Sequence, residues 1–251
     1  MEQTEEESAE SLVPDEPTVH LQLPDEARQG LSPLEIDQDG SAAVDVAVAT
    51  MNGGGVITEA GPSGGTAFEF PAYDDPSLGR RAVIRVVNAG REDLLEPEGA
   101  DFEFGAEFRR DDISTGDRTD NGDNLIQRGL FGDGAQYKID IDKETPACRI
   151  EGADGVVQVR ASIEVLPGKW YAVRCARRGA EVELTVMEYA AGGWSRRSVD
   201  SQSGAIGTIS WDEPELPLSV GGKLTRVGEV VERASDQFNG AIANPYLSIE
   251  Q

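Results

Sequence analysis

The stretch PGKWYAVRCARRGAEVELTVME, Pro167–Glu188, decides the fold class of this chain. In Tyr171–Ala176 apolar residues alternate with small or polar ones, and the alternation resumes in Glu181–Val186 after a turn at Gly179. A period of two interrupted by a glycine turn is typical of an antiparallel β-hairpin with one face in water. The stretch therefore predicts an antiparallel β-sheet protein in which Cys175 points toward the core.

The chain has one other cysteine, Cys148, and its setting is similar. Tyr137–Asp142 alternates upstream of it, and a turn-rich piece leads into Cys148–Ile150. Two inward-facing cysteines on nearby strands predict a Cys148–Cys175 disulfide, which stabilises the fold by about 3.5 kcal/mol for a loop of this length. The alternative is a pair of buried free thiols that pack as small hydrophobic side chains.

The composition restricts the classes of partner. The chain has 251 residues and a formal net charge of −25, so it repels nucleic-acid phosphates and anionic lipid surfaces. We expect no nucleic-acid partner and, because no segment is as long and apolar as a membrane-spanning helix, no membrane insertion. No segment is typical of a signal peptide, which leaves a cytoplasmic protein or a secreted form without its leader. A disulfide favours a secreted or cell-surface location.

The beginning of the chain differs from the rest. Residues 1–16 are predicted to be a disordered acidic tail, because like charges and prolines oppose the burial of apolar surface. Residues 17–39 are predicted to be an acidic linker, in which the alternation of Thr18–Leu23 could add one strand. Residues 40–251 contain short alternating segments separated by turn residues, at the spacing of a sandwich or barrel. Helical periodicity is weak, and only residues 229–237 could form a turn or two.

Several motifs in this order resemble the laminin G-like members of the concanavalin A-like lectin/glucanase superfamily. A strand ends in a turn at Gly129, Trp170 opens a central hairpin, and Gly221-Gly222 precedes a closing strand that starts at Phe238-Asn239-Gly240. The resemblance covers about residues 40–251, and the cysteine after the Trp resembles secreted actinobacterial members. It implies an all-β fold, an antiparallel two-sheet jelly-roll sandwich, with the closing strand beside an N-terminal strand.

Catalytic layouts fit the sequence poorly. Hydrolases of the resembled fold carry Glu-x-Asp-x-x-Glu on one strand, and the nearest string, Glu35–Gly40, lacks the final Glu. Glu181 and Glu183 share a strand face without a third acid, as a solvated face does. His20 is the only histidine, so a triad, a Cys/His dyad or a histidine-built zinc site would need it. We expect an exposed or edge-strand histidine and no enzyme activity.

A calcium site is the main alternative to an absence of cofactors. The loop Asp111–Asn124 is rich in the hard oxygen ligands that suit Ca²⁺. An EF-hand starting at Asp117 is excluded, because its twelfth position is Arg128 where a Glu is required. Many members of the resembled family hold Ca²⁺ with an acid in the closing strand, where this chain has Ala243-Asn244. We therefore expect a solvated acidic loop, and the candidate ligands of the calcium alternative are Asp117, Asp120 and Asp123.

Sugar binding requires accessible aromatic side chains. Trp170 matches the core-facing hairpin Trp of the resembled family, so it is assigned to packing. The candidates expected to be exposed are Trp194, Trp211, Tyr189 and Tyr73. The predicted function is a non-catalytic extracellular binding or adhesion module whose ligand is a glycan or an extracellular protein. The alternatives are a glycoside hydrolase of the same fold and a purely structural domain of a surface protein.

Overall fold

The computed structural model describes residues 12–24, 27–33, 35–72, 79–114, 122–232 and 236–250. These residues form sixteen strands and one short 3-10 turn at Pro62–Gly64. The strands are β1 (Val19–Gln22), β2 (Asp37–Gln38), β3 (Val44–Met51), β4 (Ile57–Ala60), β5 (Thr66–Phe70), β6 (Arg81–Asn88), β7 (Phe102–Arg110), β8 (Asp123–Arg128), β9 (Gln136–Asp142), β10 (Thr145–Gly152), β11 (Gly155–Arg160), β12 (Trp170–Arg178), β13 (Glu181–Ala190), β14 (Gly193–Ser203), β15 (Leu218–Val220) and β16 (Gly240–Ile249).

The strands pair into two antiparallel sheets, which confirms the predicted all-β, two-sheet jelly-roll sandwich. In the part of the chain that the structure describes, one sheet has nine strands, in the order β14-β13-β12-β7-β16-β1-β2, with β5 on β16 and β4 on β5. The other has seven, in the order β11-β10-β9-β8-β15-β6-β3. The closing strand β16 pairs with β1, Leu247 opposite Val19, as the resemblance implied.

Alternating apolar side chains from both sheets fill the space between them. On β7, Phe102, Phe104 and Phe108 are fully buried. Tyr137 of β9, in the opposite sheet, lies 5.1 Å from Phe104 between ring centroids. Burying a side chain of this size contributes about 1.5–3 kcal/mol. Because successive residues of a strand point to opposite faces, this core fixes which side chains of each strand face outward.

The predicted disulfide is confirmed, but it does not join adjacent strands. Cys148 lies on β10 of the seven-stranded sheet and Cys175 on β12 of the nine-stranded sheet, with 6.0 Å between their Cα atoms. Facing sheets are ordinarily about 10 Å apart, so the two sheets come closer together at the bridge. β11 lies against β13 and β14 on the same side of the sandwich. The bridge therefore closes one side of the sandwich.

A buried ion pair forms a second link between the sheets. Arg110, at the end of β7, donates to the carboxylate of Asp123 at 3.0 Å, at the start of β8, and both side chains are shielded from water. The same guanidinium donates to the backbone carbonyls of Lys143 and Val165, and Asn239 donates to the other carboxylate oxygen of Asp123. These bonds compensate the desolvation of both charges.

Some local expectations differ from the structure. β14 was not among the predicted strands, because its Ser-, Arg- and Gln-rich sequence alternates weakly at the edge of the sheet. The sequence of residues 156–165 predicts one continuous strand, but residues 161–165 lie in a loop. The described part of residues 229–237 contains no helix. The predicted acidic tail lies outside the described residues up to position 11.

Candidate functional site

The outer face of the nine-stranded sheet carries the candidate site. On β12, Val173 and Cys175 pack in the core. The alternate residues of the strand therefore point away from the core: Trp170, Ala172 and Arg174. The same parity holds on the neighbouring strands, because the register pairs outward residues with outward residues. The register therefore determines which side chains of the strands from β14 to β16 lie on the outer face.

Three aromatic side chains share one row of this face. Tyr189 of β13 pairs with Trp194 of β14, and their ring centroids are 5.1 Å apart in an edge-to-face arrangement. The register of β12 and β13 ends at the pair Tyr171–Glu188, and extending it by one residue brings Trp170 opposite Tyr189. All three aromatic side chains of the row are half-buried. We call Trp170, Tyr189 and Trp194 the aromatic row.

A tight turn holds one end of the aromatic row. Ala191 and Gly192, between β13 and β14, both adopt positive φ, 52° and 83°. A two-residue turn with positive φ at both positions matches the twist of an antiparallel hairpin. The turn fixes the register that brings Tyr189 and Trp194 together, two of the four aromatic residues predicted as ligand-binding.

The position of Trp170 corrects the sequence-based assignment. Its indole packs outside the core, against Ala67, Ala241 and Ala243 of β5 and β16. These small side chains let the large ring approach the sheet. The guanidinium carbon of Arg109 lies 5.7 Å from the ring centroid, within the range of a cation–π contact. Trp170 is therefore a packed but half-exposed part of the outer face.

A polar cluster occupies the middle of the same face. Asn244 sits in a bulge of β16 with a positive φ of 49°, and its amide donates to Glu107 of β7 at 3.0 Å. Burial raises the pKa of Glu107 to about 7, and the Asn244 bond offsets part of that rise. In its own row Glu107 has Ala172 and Ala243 as neighbours. Its carboxyl group thus lies among small side chains.

His20 joins this cluster, against the expectation of an exposed or edge-strand histidine. β1 lies between β16 and β2, so His20 is buried and not on a sheet edge. Burial lowers its pKa, and a bond to Asn244 and the charge of Asp39 partly oppose that shift. Asn244 therefore lies between the only histidine of the chain and Glu107. No local sequence pattern indicates this contact, since its residues come from three strands that are distant in the chain.

Tyr246 crosses the face next to the cluster. A Cβ atom at Gly105 would lie 3.0 Å from its ring and only 2.3 Å from the carbonyl oxygen of Val173, so glycine is needed there. The Tyr246 hydroxyl is buried, and no described residue accepts or donates a hydrogen bond to it. Burial raises its pKa, so it stays protonated and can donate. This hydroxyl is therefore a buried donor without a partner among the described residues.

An acidic pair continues the row of Trp170 on the far side of Arg109. Arg109 binds Glu69 at 3.2 Å and Asp111 at 3.3 Å. Burial and the nearby charge of Asp111 raise the pKa of Glu69 to about 8, although the Arg109 charge works against this. Desolvation and carboxylate repulsion therefore outweigh the single ion pair. Arg109 is held in place beside the indole of Trp170.

The other predicted aromatic residues do not extend the row. Trp211 packs on Tyr137, at 6.0 Å between centroids, and the guanidinium of Arg128 lies 4.5 Å above its ring. Its indole N–H donates to the carbonyl of Ala135 at 3.2 Å. This indole therefore closes the edge of the core, in contrast to the predicted exposed position. Tyr73 lies outside the described residues.

The candidate calcium ligands are distributed differently from the expectation of one solvated loop. Asp123 is fully buried and its carboxylate is bound to Arg110 and Asn239. Asp117 and Asp120 lie outside the described residues. Among the residues that are described, no group of three or more His, Cys, Asp or Glu side chains could hold a metal ion. The expectation that the loop holds no Ca²⁺, and the calcium alternative to it, both stay predictions for experiment.

Solved structures of the same fold are found among toxin domains. The binding domain of Paraclostridial Mosquitocidal Protein 1 superposes with a TM-score of 0.61 at 12% identity, over 93% of this chain and 49% of the other. The botulinum neurotoxin type G receptor binding domain gives a TM-score of 0.55 at 10% identity, over 94% and 48%. The chain therefore spans about half the length of these domains.

A phage protein has a related sandwich. The enzymatically active domain of bacteriophage CBA120 tailspike protein 2 superposes with a TM-score of 0.50 at 10% identity, over 85% of this chain and 30% of the other. Identities this low show a common fold alone. No protein-family model matches the chain, and no curated protein sequence matches it significantly. No helix among the described residues has the length and apolar character needed to cross a membrane.

Proposed function

We propose that the chain is a non-catalytic extracellular binding module that holds a neutral glycan along the aromatic row. The row carries the proposal, because Trp170, Tyr189 and Trp194 lie on three neighbouring strands of one face. Neighbouring strands are about 4.8 Å apart, so the row is long enough to lie under a short oligosaccharide. The C–H faces of sugar rings pack on aromatic rings, which lose little entropy on binding.

The polar groups near the row suit hydroxyl groups. Asn244 and Arg109 offer amide and guanidinium donors on the same face. Glu107, with a pKa near 7, can accept or donate depending on pH. A few placed polar groups beside apolar surface are what ligand sites use to orient a ligand. A neutral sugar also avoids repulsion from a chain of net charge −25.

Two further observations support a binding role outside the cell. Two solved structures of the same fold are named as a binding domain and a receptor binding domain. The disulfide between Cys148 and Cys175 favours an oxidising compartment. Neither observation identifies a ligand. The proposal of a neutral glycan rests on the aromatic row.

The arrangement around Glu107 supports binding without hydrolysis. Glycosidases ordinarily use two carboxyl groups about 5–10 Å apart. The cross-strand neighbours of Glu107 are Ala172 and Ala243, and its neighbours along the outer side of β7 are Gly105 and Arg109. The positions directly beside Glu107 on the described strands therefore carry no acid. A single carboxyl group of raised pKa is suited to a hydrogen bond with a sugar.

The test is the affinity of the protein for neutral hexasaccharides such as cellohexaose, xylohexaose, maltohexaose and chitohexaose. We expect at least one to bind, and Tyr189→Ala and Trp194→Ala each to weaken that binding about tenfold, or about 1.4 kcal/mol. Phe131→Ala is the matched control, because Phe131 is an exposed aromatic of the other sheet. Absence of binding to every sugar, or an equal loss in Phe131→Ala, would overturn the proposal.

A further inference from the structure

We propose that the outer face of the seven-stranded sheet holds a second site, a groove that binds a carboxylate-bearing glycan. This site is independent of the aromatic row, which lies on the opposite sheet. The groove has a volume of about 530 Å³ and crosses β11, β10, β9 and β8. Ligand sites commonly measure about 300–1,000 Å³. We call it the basic groove, and its floor consists of Gln158, Arg149, Lys138 and Gln127. Lys223 and Asp236 also line the groove, where they form an ion pair at 2.7 Å.

Strand register makes this floor. Gln158 pairs with Arg149, Arg149 with Lys138, and Lys138 with Gln127. The row continues through Ser219 of β15 to Arg85 of β6. From β11 to β6 this row therefore contains cations, amides and a hydroxyl and no acid. Such a row is unusual in a chain with 47 acidic and 22 basic residues.

Two cations lie directly opposite each other in the floor. Lys138 and Arg149 are a cross-strand pair of β9 and β10. Like charges in such a pair have Cβ atoms about 4.5–5.5 Å apart and destabilise a sheet. Asp140 binds Lys138 and Glu151 binds Arg149, each at 2.6 Å. Because the strands are antiparallel, these two acids lie on opposite sides of the row, and the row between them stays basic.

Neither cation is saturated by its ion pair. An ammonium group has three donors and a guanidinium five, and one bond from each is accounted for by its acid. A carboxylate between Lys138 and Arg149 would accept from both and relieve their repulsion. Because Lys138 and Arg149 lie opposite each other in the floor, the groove favours a negatively charged ligand.

The walls of the groove suit a sugar. Phe131 is 87% exposed, and the guanidinium carbon of Arg149 lies 5.6 Å from its ring centroid. The turn that presents Phe131 is braced, because Gln127 and Gln136 both donate to the carbonyl of Gly129, at 2.7 and 3.1 Å. An exposed ring on a braced turn is a platform for a sugar face.

The amide groups favour a glycan over an acidic peptide. The exposed side chains of Gln158 and Gln202 line the groove and can each donate to and accept from a hydroxyl group. A peptide that binds by adding a strand to a sheet needs a free strand edge. Here the floor is a sheet face whose backbone groups are already paired within the sheet.

The test compares trigalacturonate, sialyllactose and a hyaluronan tetrasaccharide with the methyl esters of the same sugars, at low salt. We expect at least one acid to bind about tenfold or more tightly than its ester, and Lys138→Gln/Arg149→Gln to remove that preference. Raised salt should weaken the binding. The matched control is Lys143→Gln/Arg160→Gln, which removes two exposed cations outside the groove.

Each outcome decides the inference. Equal binding of acids and esters, no binding of any acid, or full retention of binding in Lys138→Gln/Arg149→Gln would overturn it. Displacement of the sugar by polyglutamate at lower concentration would replace it with an acidic-peptide site. Trp194→Ala should leave acid binding unchanged and Phe131→Ala should weaken it, which separates this site from the aromatic row. A thermal melt of each variant checks that it is folded.

Discussion

The two outer faces of the sandwich are built from the same kind of strand, yet they present different chemistry. The nine-stranded sheet carries the aromatic row and the carboxyl group of Glu107, whose pKa is raised to about 7. The seven-stranded sheet carries Lys138 opposite Arg149, with the ring of Phe131 beside them. One face suits stacking on a neutral ring, and the other suits an anion.

The difference shows that strand register, more than proximity in sequence, determines which side chains lie side by side on an outer face. Trp170 and Trp194 are far apart in the chain but lie two strands apart in one row. Lys138 and Arg149 meet because the β9–β10 hairpin pairs them. A one-residue slip of any of these strands would send its outward side chains into the core. The links between the sheets therefore preserve both faces at once.

The largest expected effect comes from the link that both faces share. Asp123→Ala leaves the buried Arg110 guanidinium without its partner, so we expect the free energy of unfolding to fall by about 3–5 kcal/mol. Both sugar-binding activities should be lost together at the temperature where the variant unfolds. Denaturant unfolding measures the change. Asp142→Ala is the control, because its exposed pair with Arg160 is worth less than about 1 kcal/mol.

If Asp123→Ala lowers the free energy of unfolding by less than about 1 kcal/mol, this first prediction is contradicted. Such a result would mean that the Arg110 charge is stabilised without Asp123. The two faces would then depend on separate anchors.

The disulfide gives the next effect. Replacing Cys148 and Cys175 by alanine should lower the free energy of unfolding by about 3.5 kcal/mol, because the unfolded chain regains the freedom of the loop. Because the bridge joins β10 to β12, we expect the side of both sheets near β11 and β14 to open first. Hydrogen exchange of those strands in the variant tests this. Unchanged protection there would contradict a role for the bridge in holding the sheets together.

A smaller effect, on the pH dependence of stability, comes from Glu107 on the outer face of the nine-stranded sheet. Burial raises the pKa of Glu107 from 4.5 to about 7, so the folded state binds the proton more tightly than the unfolded state. This contribution is fully present below about pH 4.5 and is lost as the pH rises toward 7. Glu107→Gln should therefore raise the free energy of unfolding at pH 8 by about 1–2 kcal/mol and flatten its pH dependence.

The control for the pH experiment is Glu181→Gln, which removes an exposed carboxylate of the same sheet. Stability of this variant should follow the wild-type pH curve. A steeper pH dependence in Glu107→Gln than in the wild type would contradict the assignment. Glu69, whose pKa is raised to about 8, should account for the decline that remains.

Calcium should give the smallest effect. Asp123 is already bound to Arg110, so we expect millimolar Ca²⁺ to change the melting temperature of chelator-treated protein no more than Mg²⁺ does. A rise specific to Ca²⁺ that Asp120→Ala abolishes would contradict this expectation. Such a rise would assign a cation to the segment between β7 and β8.

The fold could be predicted from sequence because alternation is a local signal. The alternation in Tyr171–Ala176 and Glu181–Val186, with the turn at Gly179, identifies the central hairpin and the inward direction of Cys175. β14 was missed because both of its sides are largely wet at the sheet edge. The same alternation also places Trp170 out of phase with Tyr171, so its outward direction was readable, but the family resemblance suggested the core.

The candidate site could be predicted only in part. Tyr189 and Trp194 were predicted as exposed aromatic residues, and their contact across one turn was not predicted. The contacts of Glu107 with Asn244, and of Asn244 with His20, join three strands whose pairing no local pattern reveals. The basic groove has the same origin, since its floor is a cross-strand row.

The most direct test of the account is an NMR titration of the indole N–H signals with the neutral hexasaccharide that binds best. The chain has three tryptophans, so three such signals are expected, and Trp194→Phe assigns one of them. The account predicts that the signals of Trp170 and Trp194 move on saturation while that of Trp211, packed on Tyr137 and bonded to Ala135, stays in place. Movement of the Trp211 signal alone, or of none of the three at saturation, would contradict it.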